Sequence, residues 1–240
     1  MPQVVREHPD WLVVDKPAPL LIHPTRPDGE FTLWHSLQES YPDEQLCLLN
    51  RLDRETSGLV LVGRHPAASS CLGKMAMERV IEKRYLAIVH GVTEPDGEIA
   101  ARIGRRASFE PADIYVEQII HPDGKPALTR FCRLETRAIL DHPFSLLSVE
   151  LMTGRMHQIR VHFQSIGHPV VGDKLYGPDR RYYLKVVESG WEESMRSDLL
   201  LRRQALHACR LAFTYQGEDV CVESPLPEEL VSFWDGMNPL

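Results

Sequence analysis

Short apolar runs of strand length, each ended by proline or glycine, constrain the fold of this chain most strongly. WLVVDKP (11–17) stops at Pro17, and GLVLVG (58–63) is a run of strand formers framed by glycines. Six of the eleven histidines stand directly before proline, a context that disfavours helix and marks loops and element ends. The pattern predicts a fold built largely from short strands.

The other segments predict more strands and a few helices. The sequence has no strand–helix–strand repeat and no GxGxxG motif, so nothing in it predicts a Rossmann fold. The predicted class is therefore α+β, with a mixed, mainly antiparallel sheet, flanking helices and loops, and a single domain over residues 1–240. The predicted strands are 20–24, 83–91 and 144–154 with a hairpin of 209–215 and 219–225, and the predicted helices are 31–39, 67–80 and a short one after 225.

The clearest helix lies within GRMHQIRVHFQSIGHPVVG (154–172). Gly167 is well placed to cap its C-terminal end, and Pro169 prevents its continuation. Arg160 belongs to a polar stripe beside the apolar one. Four apolar residues follow the spacing of one buried stripe, namely Met156, Ile159, Phe163 and Ile166.

Composition indicates an ordinary soluble globular protein, with 43% hydrophobic and 25% charged residues in a chain of 240. No apolar run approaches the ~20 residues of a membrane span, and the N-terminus does not resemble a signal peptide, so a cytoplasmic location and no membrane partner are expected. The five cysteines form no CxxC pair. Neither a zinc ribbon nor a disulfide framework is therefore supported, and free, mostly buried thiols are predicted.

Charge is unevenly distributed along the chain. The formal net charge of −7 argues mildly against nucleic-acid binding as a property of the whole protein. Residues 151–185 nevertheless carry six Lys or Arg against two acids, whereas residues 186–240 carry ten acids against four arginines. The basic middle permits an anionic ligand on one face, and it is equally consistent with a solvated surface.

The segment NRLDRETSG (50–58) places four charges in five residues directly before a strand. Asp53 stands between Arg51 and Arg54, and a neighbouring arginine lowers the pKa of a carboxylate by roughly 1–3 units. Asp53 is a candidate nucleophile or base that stays anionic at neutral pH. Spacing alone favours the simpler interpretation of a loop aspartate that stabilises its own turn.

Two further residues are candidates for a site. Arg160 lies beside the buried stripe of its helix and needs an anionic partner if it is buried, for which Asp53 is a candidate. The alternative is a surface arginine. Tyr85 follows Lys83 and Arg84 in a strand, a context that suits stacking on a nucleobase but is also usual for a half-buried tyrosine. His157 and His162 are five residues apart and lack acidic neighbours in ligand spacing, so no metal is expected.

Five segments, in order from about residue 10 to residue 213, resemble conserved motifs of the RluA/RsuA superfamily of pseudouridine synthases. RLDRETSGLVLV resembles the family signature HRLDxxTSGLLL, with Asn50 where that signature has histidine. The other segments are WLVVDKPAPLLIHP, EKRYLAIVHG, LMTGRMHQIRVHFQSIGHPVVGDKLYG and LHACRLAF.

The resemblance implies the pseudouridine synthase catalytic fold and an isomerase that converts uridine to pseudouridine in tRNA or rRNA. Asp53 would be the catalytic aspartate. Arg51 would enter the RNA stack as the target base leaves, Tyr85 would pack on the target uracil, and Arg160 would pair with Asp53.

The resemblance also implies RNA as the partner, without cofactor or metal, and a monomer is expected. Because the motifs begin at about residue 10, we expect no S4 RNA-binding domain and a resemblance to the compact, catalytic-domain-only members. The basic segments 100–106 and 151–185 would hold phosphates. A catalytically inactive RNA-binding module of the same fold remains an alternative. A glycosidase would require a second carboxylate opposite Asp53, which the sequence does not identify.

Overall fold

The computed structural model describes residues 2–24 and 29–237. These residues contain eleven strands and six α-helices. The strands are β1 (Gln3–Glu7), β2 (Trp11–Lys16), β3 (Cys47–Leu48), β4 (Ser57–Gly63), β5 (Glu82–His90), β6 (Asp96–Arg105), β7 (Gln118–Ile120), β8 (Lys125–Ile139), β9 (His142–Leu151), β10 (Leu206–Tyr215) and β11 (Glu218–Glu223). The helices are α1 (Leu33–Ser40), α2 (Pro66–Met77), α3 (Gln158–Ser165), α4 (Arg181–Ser189), α5 (Arg196–Leu199) and α6 (Glu228–Trp234).

The chain divides into two compact units, each discontinuous in sequence. The first unit comprises the residues up to Arg84 together with His207–Pro227, and the second comprises Tyr85–Leu206 with the residues from Glu228 onward. The prediction of one domain over residues 1–240 stays a prediction.

The sheet of the first unit is built around β4. Its strand order is β1–β2–β4–β10, with β3 also paired to β4 and β11 to β10. The β4–β10 pair is parallel and the others are antiparallel. Every residue of β4 is buried, which explains its unbroken apolar sequence. The core here includes Trp11, Leu61 and Leu72 together with Phe213 of β10.

Local sequence signals start the two helices of this unit. The Thr32 hydroxyl accepts from the backbone N–H of His35, and the His35 ring accepts in return from the Thr32 N–H, which forms a capping box at α1. In α2, His65 caps the N-terminus through the Ala68 N–H, and Pro66 occupies the first turn, where its missing N–H has no cost.

The second unit carries strands in the order β5–β9–β8–β6–β7, and the β9–β8, β8–β6 and β6–β7 pairs are antiparallel. Helix α3 packs near β6, β7 and β8. The core around it includes Ile103, Val161, Leu175 and Tyr176. Both units combine helices with strands, and among the pairs named here only β4–β10 is parallel, so the predicted α+β class with a mixed, mainly antiparallel sheet is confirmed.

Helix α3 is more deeply buried than its predicted single stripe implies. Ile159 and Phe163 are buried as predicted, but Ile166 is 41% exposed. Arg160 and His162, from polar positions, are buried instead. Gly167 adopts φ +80°, its N–H donates to the Gln164 carbonyl, and that of the next residue donates to Phe163, so the predicted glycine cap is confirmed.

Some sequence predictions were wrong. Residues 20–24 do not form a strand, because Leu21 makes only an isolated bridge to Thr32. The thiols are free, but most are not buried: Cys209 is partly exposed, and the other four cysteines are exposed. The strands β6 and β8 were not predicted, because charged residues interrupt their apolar pattern.

Gly58 lies very close to the backbone of β10. It adopts φ +112°, a conformation that L-residues rarely adopt. A Cβ at this position would overlap the backbone carbonyl and nitrogen of Ala208 on β10. The parallel contact between β4 and β10, His207 with Ser57 and Ala208 with Gly58, therefore requires glycine.

We expect Gly58→Ala to lower the free energy of unfolding by at least about 1–3 kcal/mol. Backbone strain at a positive φ alone costs about this much, and the steric overlap with Ala208 adds to it. Urea unfolding followed by circular dichroism measures it. Gly73→Ala is the matched control: Gly73 lies inside α2 with open space at its Cβ, and alanine there should stabilise by about 0.5–1 kcal/mol. Equal effects of the two variants would contradict this account of Gly58.

Candidate active site

Asp53 lies in the loop between β3 and β4, residues 49–56, which we call the Asp53 loop. Leu52 is buried and anchors it, whereas Asp53 is partly exposed and Arg51 is exposed. The Asp53 carbonyl accepts from the Thr56 N–H at 3.1 Å, closing a turn through Arg54. The loop therefore has a defined backbone course that leaves Asp53 and Arg51 partly accessible to a ligand.

Asn50 fastens the start of this loop to β4. Its Oδ1 accepts from the Leu61 N–H at 2.7 Å, and its Nδ2 donates to the Leu59 carbonyl at 3.2 Å. One amide side chain thus satisfies a donor and an acceptor of the strand backbone. The neutral carboxamide at the position where the family signature has histidine has a structural role that sequence alone did not reveal.

Lys16, at the end of β2, fastens the other side of the loop. Its side chain is completely buried, and its Nζ donates to the carbonyls of Pro17, Leu20 and Arg54 at 3.0, 2.8 and 3.2 Å. The Leu20 N–H also donates to the Arg54 carbonyl at 2.9 Å. A buried ammonium needs such compensation, so these bonds tie the residue that follows Asp53 to β2.

The two arginines that flank Asp53 have different neighbours. Arg54 forms an exposed ion pair with Glu30 at 3.0 Å. Burial and the nearby charge of Arg51 lower the pKa of His23, which places Arg51 close to that ring and favours a neutral His23 at pH 7. The His23 ring lies 5.8 Å from the Trp34 ring. The positive charge of Arg51 thus acts on the His23–Trp34 aromatic pair.

Arg160 of α3 makes a bidentate ion pair with Asp173 in the second unit. Its Nε lies 2.6 Å from Oδ2 and its Nη2 lies 2.9 Å from Oδ1. Both side chains are buried. The backbone N–H groups of Leu175 and Tyr176 also donate to Oδ1, each at 2.9 Å.

Burial by itself would raise the pKa of Asp173, but the charge and hydrogen bonds of Arg160, with the Leu175 and Tyr176 N–H groups, outweigh it and hold that pKa below its usual range. Asp173 is therefore anionic at neutral pH. Removing one member of such a pair costs about 3–5 kcal/mol, because the other charge stays buried. Arg160 thus has a structural anionic partner that the sequence analysis did not identify.

Tyr176 orients this pair from one side. The Arg160 guanidinium lies 4.8 Å from the Tyr176 ring centroid, a cation–π distance. The Tyr176 hydroxyl accepts from the Gln118 N–H at 2.9 Å and lies 2.8 Å from Nδ1 of His157. His157 begins α3 in a left-handed conformation, φ +56°. His157 and Arg160, predicted to share a polar stripe, therefore both contact Tyr176.

A second buried network fastens α3 to β8. Gln158 Nε2 donates to the Leu128 carbonyl and to Oγ1 of Thr129 at 3.0 and 2.9 Å. Nδ1 of His162 lies 2.9 Å from the same Thr129 hydroxyl. Burial lowers the pKa of His162 to about 4, partly countered by the Ala101 backbone, so His162 is neutral at pH 7.

The predicted site residues fall in different units. Arg51 and Asp53 share one loop of the first unit, whereas Arg160 and Tyr85, which is 6% exposed in β5, belong to the second. The predicted pairing of Arg160 with Asp53 and the predicted roles of Arg51 and Tyr85 stay predictions. Asp173 was missed as a charged partner, although it lies in the quoted GDKLYG segment.

Intramolecular ion pairs occupy several cations of the two basic segments. The Glu117 carboxylate lies 3.0 Å from Arg106 Nε and 3.2 Å from an Arg180 nitrogen. Arg106 also pairs with Glu110, and Arg180 with Asp113. Since Arg160 is paired with Asp173 as well, the local excess of basic residues in the sequence overstates the positive charge available to phosphates.

Arg105 differs from these paired arginines. Its guanidinium lies 4.4 Å from the Tyr115 ring centroid and donates to the Tyr115 hydroxyl at 2.7 Å. Tyr115 is 69% exposed. A cation and an aromatic face are thus presented together on the surface of the second unit, a combination that suits a phosphate and a base.

Among residues 2–24 and 29–237, no three His, Cys, Asp or Glu side chains are grouped as a metal site would require. Within the same residues, no helix is long and apolar enough to cross a membrane.

The family model described as RNA pseudouridylate synthase matches residues 10–165 of this chain. The chain belongs to the RNA pseudouridylate synthase family. The matched residues include the Asp53 loop, Tyr85 and Arg160. The resemblance to pseudouridine synthases predicted from the motifs is therefore confirmed.

Named relatives agree with this membership. The chain is 36% identical over 233 residues to the ribosomal large subunit pseudouridine synthase D of Neisseria meningitidis, covering 95% of this chain and 59% of the relative. It is 34% identical to the protein of that name from Nitrosomonas europaea, covering 99% of this chain and 66% of the relative. This pseudouridine synthase family member thus spans about three fifths to two thirds of the length of these curated relatives.

A solved structure supports the fold. Human RNA pseudouridylate synthase domain containing 1 matches with a TM-score of 0.72 and 31% identity, covering 94% of this chain and 83% of that one. Human RNA pseudouridylate synthase domain containing 4, at 21% identity, matches with a TM-score of 0.75 and shows the shared fold alone. The predicted pseudouridine synthase catalytic fold is confirmed.

In this family member, Asn50→Ala should lower the free energy of unfolding by about 1–3 kcal/mol, because the Leu61 N–H loses its partner. Urea unfolding measures this loss. Asn50→Asp is the companion variant, since it keeps an acceptor for the Leu61 N–H but places a second oxygen opposite the Leu59 carbonyl in place of a donor. It should also lower the free energy of unfolding. Stability equal to wild type in both variants would contradict the proposed structural role of Asn50.

The buried neutral His162 predicts acid sensitivity. Its folded-state pKa is lowered, so its contribution is fully present above pH 6.5 and is lost as pH falls toward 4. The loss reaches at most about 3 kcal/mol, at about 1.4 kcal/mol per pKa unit. His162→Asn keeps an amide near Thr129 but does not titrate. Unfolding free energies of both proteins between pH 7 and pH 4 should therefore converge, and parallel curves would contradict the assignment.

Proposed function

We propose that this chain is an RNA pseudouridine synthase that isomerises uridine to pseudouridine in RNA, with Asp53 as its catalytic carboxylate. The observation that carries the proposal is that Asp53 of the family signature lies partly exposed in a loop whose flanks are fastened by Asn50 and Lys16. A fastened backbone and a partly accessible carboxylate are what a positioned catalytic group requires.

The reaction is an isomerisation. The bond between N1 of uracil and C1′ of the ribose breaks, the uracil turns, and C5 forms the new bond to C1′. The hydrogen leaves C5 as a proton and N1 gains one, so atoms and charge balance. The proposal therefore includes no cofactor and no metal, and activity in excess EDTA tests the latter.

Asp53 can act in two ways in this reaction. Its carboxylate can attack C1′ and form a covalent bond to the sugar, or it can remove a proton from C2′ and assist formation of a glycal. Both routes need an anionic carboxylate near the sugar. Substitution by asparagine removes both capacities, because an amide is neither a comparable nucleophile nor a base.

The target base must leave its stack before Asp53 can reach the sugar, at a cost of a few kcal/mol. We propose that Arg51, exposed at the tip of the Asp53 loop, enters the vacated position. Loops, mismatches and single strands reduce this cost and are the expected targets. Contacts to phosphates make binding salt-sensitive.

Tyr85 and Arg160 complete the proposed residue roles. Tyr85 packs on the target uracil, where aromatic stacking contributes roughly 1–3 kcal/mol per base. Arg160 pairs with Asp53 in addition to its bond with Asp173. The support for both roles is the match of EKRYLAIVHG and TGRMHQIR to family motifs.

The proposed substrate is ribosomal RNA of the large subunit, because curated relatives at 34–36% identity are named for that RNA. Transfer RNA is the alternative substrate. The proposed enzyme acts as a monomer in the cytoplasm. Purified protein, incubated with ribosomal and transfer RNA transcripts and followed by pseudouridine mapping, distinguishes the substrates, and light scattering measures the oligomeric state.

Asp53→Asn is expected to abolish pseudouridine formation. The rate should fall at least about 1,000-fold, which is the size of loss expected when a catalytic group is removed. RNA labelled with tritium at C5 of uridine measures this, since tritium is released to water when C5 forms its new bond. Circular dichroism and RNA binding should remain close to wild type. Glu55→Gln is the control for loss of one negative charge in the same loop and should retain activity.

The result also decides between the two functions. Tritium release by the wild type, lost in Asp53→Asn, excludes the inactive RNA-binding module. RNA binding by the wild type without tritium release from ribosomal or transfer RNA would favour that module instead. Substantial activity in Asp53→Asn would remove Asp53 from the catalytic role.

A further inference from the structure

A chain of four polar side chains leads to the end of the Asp53 loop. Ser224, directly after β11, donates from its hydroxyl to the carboxylate of Asp15 on β2. The same hydroxyl lies 3.1 Å from Nε2 of His207 on β10. Nδ1 of His207 lies 2.9 Å from the hydroxyl of Ser57, the first residue of β4. His207, Ser57 and Ser224 are buried.

The surroundings determine the direction of these hydrogen bonds. The Ser224 carbonyl, 3.3 Å from Nε2 of His207, can only accept. The Ser224 hydroxyl already donates its hydrogen to Asp15, so toward His207 its oxygen also accepts. Nε2 therefore carries the proton in the neutral imidazole. Nδ1 then accepts, and the Ser57 hydroxyl donates to it.

The backbone reinforces this arrangement at the same place. His207 and Ser57 are register partners in the parallel contact of β10 with β4, and Gly58 next to Ser57 has no room for a Cβ. Ser57 is thus held through its backbone and its hydroxyl. It directly follows Thr56, whose N–H closes the turn on the Asp53 carbonyl.

Asn50 fastens the start of the Asp53 loop and Ser57 fastens its end. We propose that His207 is a positioning residue for the reaction, which acts through Ser57 on the placement of the Asp53 carboxylate. This inference rests on the proposed function. The nearby core of the first unit is apolar, so a polar chain at this point sets one hydroxyl direction, which apolar packing cannot do.

Two conservative variants separate positioning from stability. In His207→Asn the side-chain amide lies at the level of Nδ1, so an acceptor for the Ser57 hydroxyl is kept and the hydrogen bond to Ser224 is lost. In His207→Gln the amide lies at the level of Nε2, so a donor to Ser224 is kept and the hydrogen bond from Ser57 is lost. Each loses one buried hydrogen bond, so both should lower Tm by similar amounts.

Of these two variants, we expect only His207→Gln to lower kcat, with little change in KM for RNA. The expected loss is about ten- to hundredfold, the size of effect caused by a small misplacement of a catalytic group. Ser57→Ala should reproduce this loss, and the double variant Ser57→Ala/His207→Gln should be no slower than either single variant. Tritium release from C5-labelled RNA supplies the rates at a temperature where all variants are folded. Equal kcat values for the Asn and Gln variants, or for Ser57→Ala and wild type, would overturn the inference.

Hydrogen exchange tests the positioning independently of activity. In His207→Gln and Ser57→Ala, the amide of Thr56 should exchange at least tenfold faster than in wild type or His207→Asn. This measurement does not depend on activity. If the wild type proves inactive, the proposed function is wrong, but faster exchange of Thr56 in the variants still supports the contact between His207 and Ser57. If His207→Gln does not fold, Ser57→Ala carries the comparison alone. Unchanged exchange at Thr56 in Ser57→Ala refutes the contact.

Discussion

The close backbone contact between β4 and β10 is the constraint on which the candidate site depends. Because Gly58 has no side chain, the parallel pairing can form at Ser57 and Gly58, directly after the Asp53 loop. A larger residue would separate the strands and remove the hydrogen bond that the Ser57 hydroxyl donates to His207. The glycine of the TSG segment therefore sets where the loop ends.

The loop carries its candidate carboxylate on a backbone fastened by buried polar groups. Asn50 bonds to β4, Lys16 bonds to the Arg54 carbonyl, and Ser57 bonds to His207. Each of these groups would be costly to bury without its partner, so each bond also selects one course of the loop. The exposed Arg51 and the partly exposed Asp53 are thus carried on a backbone held by hydrogen bonds, as a positioned catalytic group requires.

Buried charge in the second unit shows a related arrangement. Arg160 is held by Asp173 and by the face of Tyr176. Its guanidinium therefore has a defined direction. Much of the remaining positive charge of this unit is shared with acids such as Glu117, which leaves the stacked pair of Arg105 and Tyr115 as a more accessible combination.

Local patterns in the sequence determined the α+β class, the strands predicted within 11–17 and 58–63, the Gly167 cap and the family, because strand runs, turn residues and motif spacing are properties of neighbouring residues. They did not determine the partner of Arg160, the role of Asn50, or the link from His207 to Ser57. Those partners lie between 9 and 150 residues apart in the sequence. Only the folded chain brings such groups within hydrogen-bonding distance, since long-range pairing of strands, and not local propensity, decides which polar groups share a buried space.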